Sequence, residues 1–273
     1  MKTNSINLVT GSNGFLGSRI KSISKSKGEF LSIDRKECHQ ILEDSTKHQN
    51  PSHKNVESLL HCAALNNNFK GTYEQFYKIN VDLTLSLFNY AKKVKAKNFI
   101  FFSSLKCSTK IQQNDFYSRT KVIAEKKLID KAEKSEVNLS IFRLPPIVSI
   151  HTNGNLRYFS KILKLNLPLV LPNDAKLNYR DIITINMITN LLSKIENGEI
   201  LHGLYSACSK NTYSTFEIIN MLKNESNSLS KIVCINSIFF EPIKFLASKL
   251  YESSFGNLRF SDTTKFKRLA IDD

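Results

Sequence analysis

Short apolar runs alternate with longer amphipathic stretches along this chain. Ile6–Thr10 is an apolar run of strand length, too short for a helix. Residues 15–25 then carry the three-to-four spacing of a helix. Residues 30–34, 59–63, 98–103 and 139–144 repeat the strand pattern, and a charged helical stretch beginning near Tyr117 precedes the last of these. Such alternation predicts a parallel sheet with helices on both faces. Residues 37–55 are polar and predict one short strand near 41–43 and a loose connection. Beyond Pro145 and Pro146 the pattern loosens. It predicts helix over 156–165, extended chain over 179–183, helix over 187–195, strand over 204–207, and helix over 215–223 with Ser214 as its N-cap. Residues 232–250 are apolar but broken by Glu241, Pro242 and Lys244, so they read as a strand followed by an amphipathic helix, not as a stable membrane insertion. The expectation is an α/β fold: a Rossmann-type doubly wound parallel sheet over 1–148, and a smaller C-terminal lobe over 149–273 that binds substrate and returns some strands to the main sheet.

Composition narrows the partners. Of 273 residues, 41% are hydrophobic, enough for a packed core. Lys and Arg number 39 against 24 Asp and Glu, a formal charge of +15, which favours anionic partners. The lysines are scattered among Asn, Ser and Ile, with no basic block or aromatic-interleaved stripe, so no nucleic acid is expected. Cys38, Cys62, Cys107, Cys208 and Cys234 are odd in number and widely spaced, which argues against disulfides or zinc and for a reducing compartment. The six histidines lack metal-ligand spacing, so no metal is expected. The N-terminus lacks the apolar stretch of a signal peptide, and a cytoplasmic location is expected.

Two segments carry chemistry. The first strand runs into GSNGFLG, residues 11–17, and then a helix. Gly11 permits the strand-to-helix turn, Gly14 lets a pyrophosphate approach the backbone, and Gly17 lets the helix pack closely. Phe15 and Leu16 open that helix, whose N–H groups and dipole suit phosphate. The spacing is GxxGxxG, not the general GxGxxG. Asp34 closes the second strand, where a carboxylate can accept the adenosine ribose hydroxyls and favours NAD; Arg35 beside it could hold the 2′-phosphate of NADP. The second segment is YSRTK, residues 117–121. Tyr117 and Lys121 share a helix face, and the ammonium is expected to lower the phenol pKa toward a usable acid/base. Ser103 and Ser104 end the preceding strand, where ligands sit in open α/β sheets.

On these residues the chain resembles the extended short-chain dehydrogenase/reductases, the NAD-dependent epimerase/dehydratase family. HCAA at 61–64 is similar to the family's fourth-strand motif beside the cofactor, NVDLT at 80–84 to its NVxGT segment with Leu83 for glycine, and NFIFFSS at 98–104 to its fifth strand. YRD at 179–181 resembles the segment whose arginine meets the sugar-nucleotide diphosphate, and Asn155, twelve residues after Arg143, falls where the family places an asparagine near it. SSLKC at 103–107, LPLVLP at 167–172 and LRFSD at 258–262 resemble bacterial sugar-nucleotide 4-epimerases and 4-keto reductases of surface polysaccharide synthesis. The family's VYGP reads IVSI at 147–150, only thirteen positions separate Ser104 from Tyr117, and the terminal Trp-Pro is absent.

The resemblance implies NAD(P)-dependent hydride transfer at C4 of a nucleotide-diphosphate sugar, with UDP-hexosamines favoured, by an epimerase or a reductase. It implies catalysis by Ser104, Tyr117 and Lys121, and cofactor contacts from Gly11, Gly14, Phe15, Leu16, Gly17, Asp34, Arg35, Cys62, Ala63, Ala64, Asn80, Ser103, Tyr117, Lys121 and Leu144. Substrate contacts fall to Lys106, Asn155 and Arg180. Leu105 and Lys106 stand where 4,6-dehydratases carry Asp-Glu, which disfavours dehydration. His61 is expected to be structural and Cys107 an inert thiol. A redox-silent NAD(P)-binding sensor or scaffold of the same fold is the alternative, and the resemblance allows a homodimer.

Overall fold

The structure is a computed structural model that describes residues 6–23, 29–43, 53–108, 111–151, 156–199, 202–259 and 267–272. Its strands are β1 (Ile6–Thr10), β2 (Glu29–Ile33), β3 (Val56–His61), β4 (Asn98–Ser104), β5 (Asn138–Leu144), β6 (Ile147–Val148), β7 (Leu169–Pro172), β8 (Ile183–Thr184), β9 (Gly203–Ser209), β10 (Ile232–Ile235) and β11 (Lys267–Ile271). Its helices are α1 (Phe15–Ile23), α2 (Arg35–Glu43), α3 (Tyr73–Tyr77), α4 (Leu83–Lys93), α5 (Phe116–Ala132), α6 (Leu156–Lys164), α7 (Ile185–Glu196), α8 (Thr215–Glu225), α9 (Glu241–Leu246) and α10 (Ser248–Phe255). A π-helical turn, Lys78–Asp82, joins α3 to α4, and a 3₁₀ turn, Leu105–Ser108, follows β4.

Seven strands form one sheet in the order β11-β9-β5-β4-β3-β1-β2. Pairings from β2 through β1, β3, β4 and β5 to β9 are parallel. This is the doubly wound α/β architecture that alternating apolar runs predict. After β1 the chain adds β2 on one side, then crosses to add β3 on the other, so order reverses at β1/β3. In such sheets a crevice opens outside the carboxyl ends of the strands at that switch. Leu8, Leu59, Phe99, Phe101 and Ile141 bury the strands, and Val81, Leu87, Phe88, Ala124 and Leu128 seal one face from the helices. Phe88 meets Phe99 edge-on at 5.2 Å between ring centroids, a favoured aromatic geometry.

The chain divides into two compact units. The first holds Met1–Leu144, Thr189–Ala207 and Lys265–Leu269; the second holds Pro145–Ile188, Cys208–Thr264 and Ala270–Asp273. In the second unit, β7 and β10 pair in parallel, as do β6 and β8. Leu163, Leu169, Leu171, Ile182, Ile218, Ile219 and Leu222 form its core. Ser214 caps α8 with a full capping box: its hydroxyl accepts from Glu217 N, and the Glu217 carboxylate accepts from Ser214 N.

Two expectations are corrected. The strand expected near 41–43 is the last turn of α2. Asp34 caps that helix, accepting Glu37 N at 2.8 Å, and Cys38 and Ile41, three apart, form its buried face. The extended segment over 179–183 is only partly a strand: Arg180 makes isolated bridges to Tyr213 and Leu258, and the strand proper is Ile183–Thr184.

Candidate active site

The glycine loop leaves β1 at the switch point. Gly11 has φ +65°, a left-handed conformation, and a Cβ there would lie 2.7 Å from Ala63 N and 2.8 Å from Ala63 Cα. Gly14 N donates to Gly11 O at 2.8 Å, closing the turn. A Cβ on Gly17 would run into the Gly11 carbonyl, so the start of α1 seats directly on the loop. Phe15 and Leu16 are half-buried, and Gly14 is exposed. Asp34 and Arg35 are exposed at the carboxyl end of β2. One Asp34 carboxylate oxygen is the cap described above.

Below the loop runs a directed hydrogen-bond chain. Thr84 donates its hydroxyl proton to Asn80 O at 2.8 Å, so Thr84 Oγ1 accepts from His61 Nε2 at 2.9 Å. His61 Nδ1 is then the acceptor, taking the Thr10 hydroxyl at 2.8 Å, and Thr10 Oγ in turn accepts Ala63 N at 3.3 Å. Full burial pushes the His61 imidazole down to about 3. It is a neutral strut between β1, β3 and α4, as the sequence suggests. Asn80 sits buried in the π-helical turn. Its amide donates to Leu65 O and Thr120 Oγ at 3.0 and 3.1 Å, and its carbonyl oxygen accepts Leu65 N at 2.8 Å. That fastens the segment carrying Cys62, Ala63 and Ala64 to α5. Burial raises the Cys62 thiol to about 12.

Tyr117 and Lys121 stand one turn apart on α5, which Asp115 caps by accepting Ser118 N at 3.0 Å. Ser104, the last residue of β4, lies close enough for its hydroxyl to pull the Tyr117 phenol down. Lys121 is buried; its Nζ donates to Phe102 O at 2.9 Å and lies 4.3 Å from the Phe101 ring centroid. Burial lowers the ammonium to about 8, against a smaller opposing effect of Cys107, Glu125 and Cys62. The expected lowering of the phenol pKa is corrected. Burial, then Cys107, Asp115 and Glu125, hold Tyr117 above its ordinary range, while the Ser104 hydroxyl pulls it down. Desolvation of the phenolate is the largest of these effects.

Leu144 pairs with Ser104 across β4 and β5. Lys106 is exposed on the 3₁₀ turn. Cys107 is buried, and burial raises its thiol to about 11, which fits an inert sulfur. Ser103 is buried and its hydroxyl is taken by Glu125, donating to Oε1 at 2.5 Å. Glu125 also forms a buried ion pair with Arg143, 2.6 Å from Oε2 to a guanidinium nitrogen. The sequence reading missed Glu125, although Tyr117, Lys121 and Glu125 recur every fourth residue on one face of α5.

Arg180 lies in the second unit. It is buried, donating to Gly256 O and Ser253 O at 2.9 Å each, and burial lowers it to about 10. Asn155 lies outside the described residues. The first unit therefore gathers the glycine loop, residues 62–64, Asn80, Ser104, Tyr117 and Lys121. The link between loop and helix is short: Gly11 abuts the backbone of Cys62 and Ala63, and the Cys62 thiol is close enough to Lys121 to feel its charge.

The sequence matches the NAD dependent epimerase/dehydratase family over residues 7–176, more than half of the chain. The chain belongs to this family. No curated protein matches it. Among solved structures, it is similar to Thermus thermophilus UDP-glucose 4-epimerase in complex with NAD, with TM-score 0.62, 15% identity, and coverage of 90% of this chain and 93% of that one. It is similar to a Campylobacter jejuni GDP-mannoheptose C4 reductase with NADP bound, with TM-score 0.66, 13% identity, and 87% and 88% coverage. A third is a Clostridium acetobutylicum dTDP-4-dehydrorhamnose reductase, with TM-score 0.63, 17% identity, and 86% and 85% coverage. At these identities the likeness is one of fold. The dinucleotide cofactor of the family fits the residues present: Gly11 and Gly17 let the loop close on Ala63 and on the start of α1, and Gly14 leaves exposed backbone beside that helix N-terminus, where a pyrophosphate could approach.

Proposed function

We propose that this protein is an NAD(P)-dependent epimerase or 4-keto reductase acting at C4 of a nucleotide-activated sugar, with UDP-hexosamines of surface polysaccharide synthesis as the favoured substrates. The observation that carries the reading is the Ser104–Tyr117–Lys121 set, with Ser104 close enough to act on the Tyr117 phenol and Lys121 buried beside the segment that abuts the glycine loop.

Gly11, Gly14, Gly17 and the N-terminus of α1 would hold the cofactor pyrophosphate, Asp34 or Arg35 the adenosine ribose end, and Lys121 the nicotinamide ribose. When bound, the nicotinamide supplies or accepts hydride. Tyr117 exchanges a proton with the sugar O4. A phenol held above its ordinary range keeps that proton at neutral pH and suits donation to a carbonyl oxygen. Ser104 hydrogen-bonds the same oxygen and orients it. Arg180 and Asn155 grip the diphosphate, so remote binding positions the sugar. Arg180 suits that role: the hydrogen-bond partners of its guanidinium are backbone carbonyls, which leave its charge for an anion. Leu105 is buried and Lys106 is a base, so neither serves as the acid pair of a dehydratase.

The test mixes the protein with NADH or NADPH and a UDP-4-keto-6-deoxy-hexosamine and follows the reduced-nicotinamide absorbance. A UDP-N-acetylhexosamine is followed in parallel by NMR for inversion at C4. Consumption lost in Tyr117→Phe establishes a reductase; inversion without net consumption establishes an epimerase. Tight cofactor binding with neither reaction, across UDP, dTDP and GDP sugars, would overturn the reading in favour of a redox-silent NAD(P)-binding protein.

A further inference from the structure

Glu125 and Arg143 form a buried ion pair, with side chains 3% and 6% exposed. Its partners come from four elements. Glu125 is on α5, one turn past Lys121 and two past Tyr117. Arg143 is on β5, in register with Ser103 on β4. Glu125 accepts the Ser103 hydroxyl at 2.5 Å and the Arg143 Nε at 3.0 Å. Arg143 donates from its other branch to Ser108 Oγ at 3.1 Å, at the far end of the 3₁₀ turn that begins just after Ser104. Within that turn, Cys107 Sγ lies 3.5 Å from Ser103 Oγ.

We propose that Glu125 and Arg143 are positioning residues that clamp the segment from Ser103 to Ser108 against α5, and so fix Ser104 relative to Tyr117 and Lys121. This role rests on the proposed catalytic role of Ser104, Tyr117 and Lys121. A buried ion pair contributes less stability than an apolar pair of the same volume, so its use here points to a geometric task. That task is visible in its bonds. One carboxylate ties the residue before Ser104 to the helix that bears Tyr117, and one guanidinium ties the end of the following turn to the neighbouring strand. Without the clamp the turn can shift on its strand. A shift of an ångström at a reacting centre costs about a hundredfold in rate.

The test uses the full chain with the cofactor and sugar nucleotide of the preceding section. Glu125→Gln should leave cofactor Kd and KM near wild type and lower kcat about a hundredfold. Cys107, Asp115 and Glu125 each raise the Tyr117 phenol, and Lys121 stands one turn away on α5. Loss of the Glu125 charge should therefore move the alkaline limb of the rate profile to lower pH, an effect absent from a purely structural role. Cys107 should alkylate faster, read by mass spectrometry. The paired variant Glu125→Leu with Arg143→Met should fold stably yet keep the low kcat. Recovery of wild-type kcat in the paired variant would overturn the proposal, because packing alone would then suffice; so would unchanged kcat in Glu125→Gln. If the wild type turns over no sugar nucleotide, the catalytic reading fails on its own, and the clamp is judged by Cys107: unchanged alkylation in Glu125→Gln overturns it.

Discussion

Replacing Lys121 by methionine should make this protein more stable at neutral pH while abolishing turnover. The side chain is buried, and its titration falls from 10.5 to about 8. That displacement corresponds to about 3 kcal/mol of destabilisation at pH values below 8. Methionine keeps the stem and carries no charge. It forfeits the hydrogen bond to Phe102 O, worth about 1 kcal/mol. The net gain is about 2 kcal/mol, a rise in Tm of about 3–4 °C for a chain of this size. The pH dependence is the sharper signature. An unfolded lysine keeps its proton up to 10.5 and the folded one releases it near 8. Wild-type stability therefore rises with pH through that window as folding releases a proton, and the advantage of the variant closes. Thermal melts of both proteins from pH 7 to 10.5 measure it. A Lys121→Met protein that melts below wild type at pH 7, or whose margin over wild type does not change with pH, would mean that the buried ammonium does not destabilise the fold.

Two further outcomes are expected. Gly11→Ala forces a side chain onto a φ of +65° and against Ala63, so it should lose about 2 kcal/mol or more in urea unfolding and all detectable NAD(P) binding by nicotinamide fluorescence. His61 is neutral when folded down to about 3 but protonates near 6.5 when unfolded, so wild-type stability should fall as pH drops below 6.5. His61→Gln should flatten that fall by up to about 1.4 kcal/mol per pH unit, checked by urea titrations between pH 4.5 and 7.

The sheet was legible because its strands are buried on both faces and read as short apolar runs such as FIFF at 99–102. Helix α2 was not, because only Cys38, Ile41 and Leu42 break a run of Lys, Glu, His and Gln, too few apolar positions to reveal a period. Ser104, Tyr117 and Lys121 stood out because their spacing is local. Glu125 did not: its partner Arg143 is eighteen residues away, and a carboxylate on a charged helix reads as solvated until the strand beneath it is seen. The protonation of Tyr117 also escaped the sequence, since the burial that dominates it is set by the fold and not by the local spacing.

The seven-stranded sheet is stitched from distant parts of the chain, and this sets an order for its synthesis. β5 receives its outer neighbour only from residues 203–209, and β9 its own only from 267–271. While the chain emerges from a ribosome, Asn138–Leu144 waits as a bare, apolar edge, able to capture a strand of any other nascent chain. A fragment ending at Leu144 would carry the glycine loop and the Ser104–Tyr117–Lys121 set intact, yet collect in inclusion bodies rather than in solution.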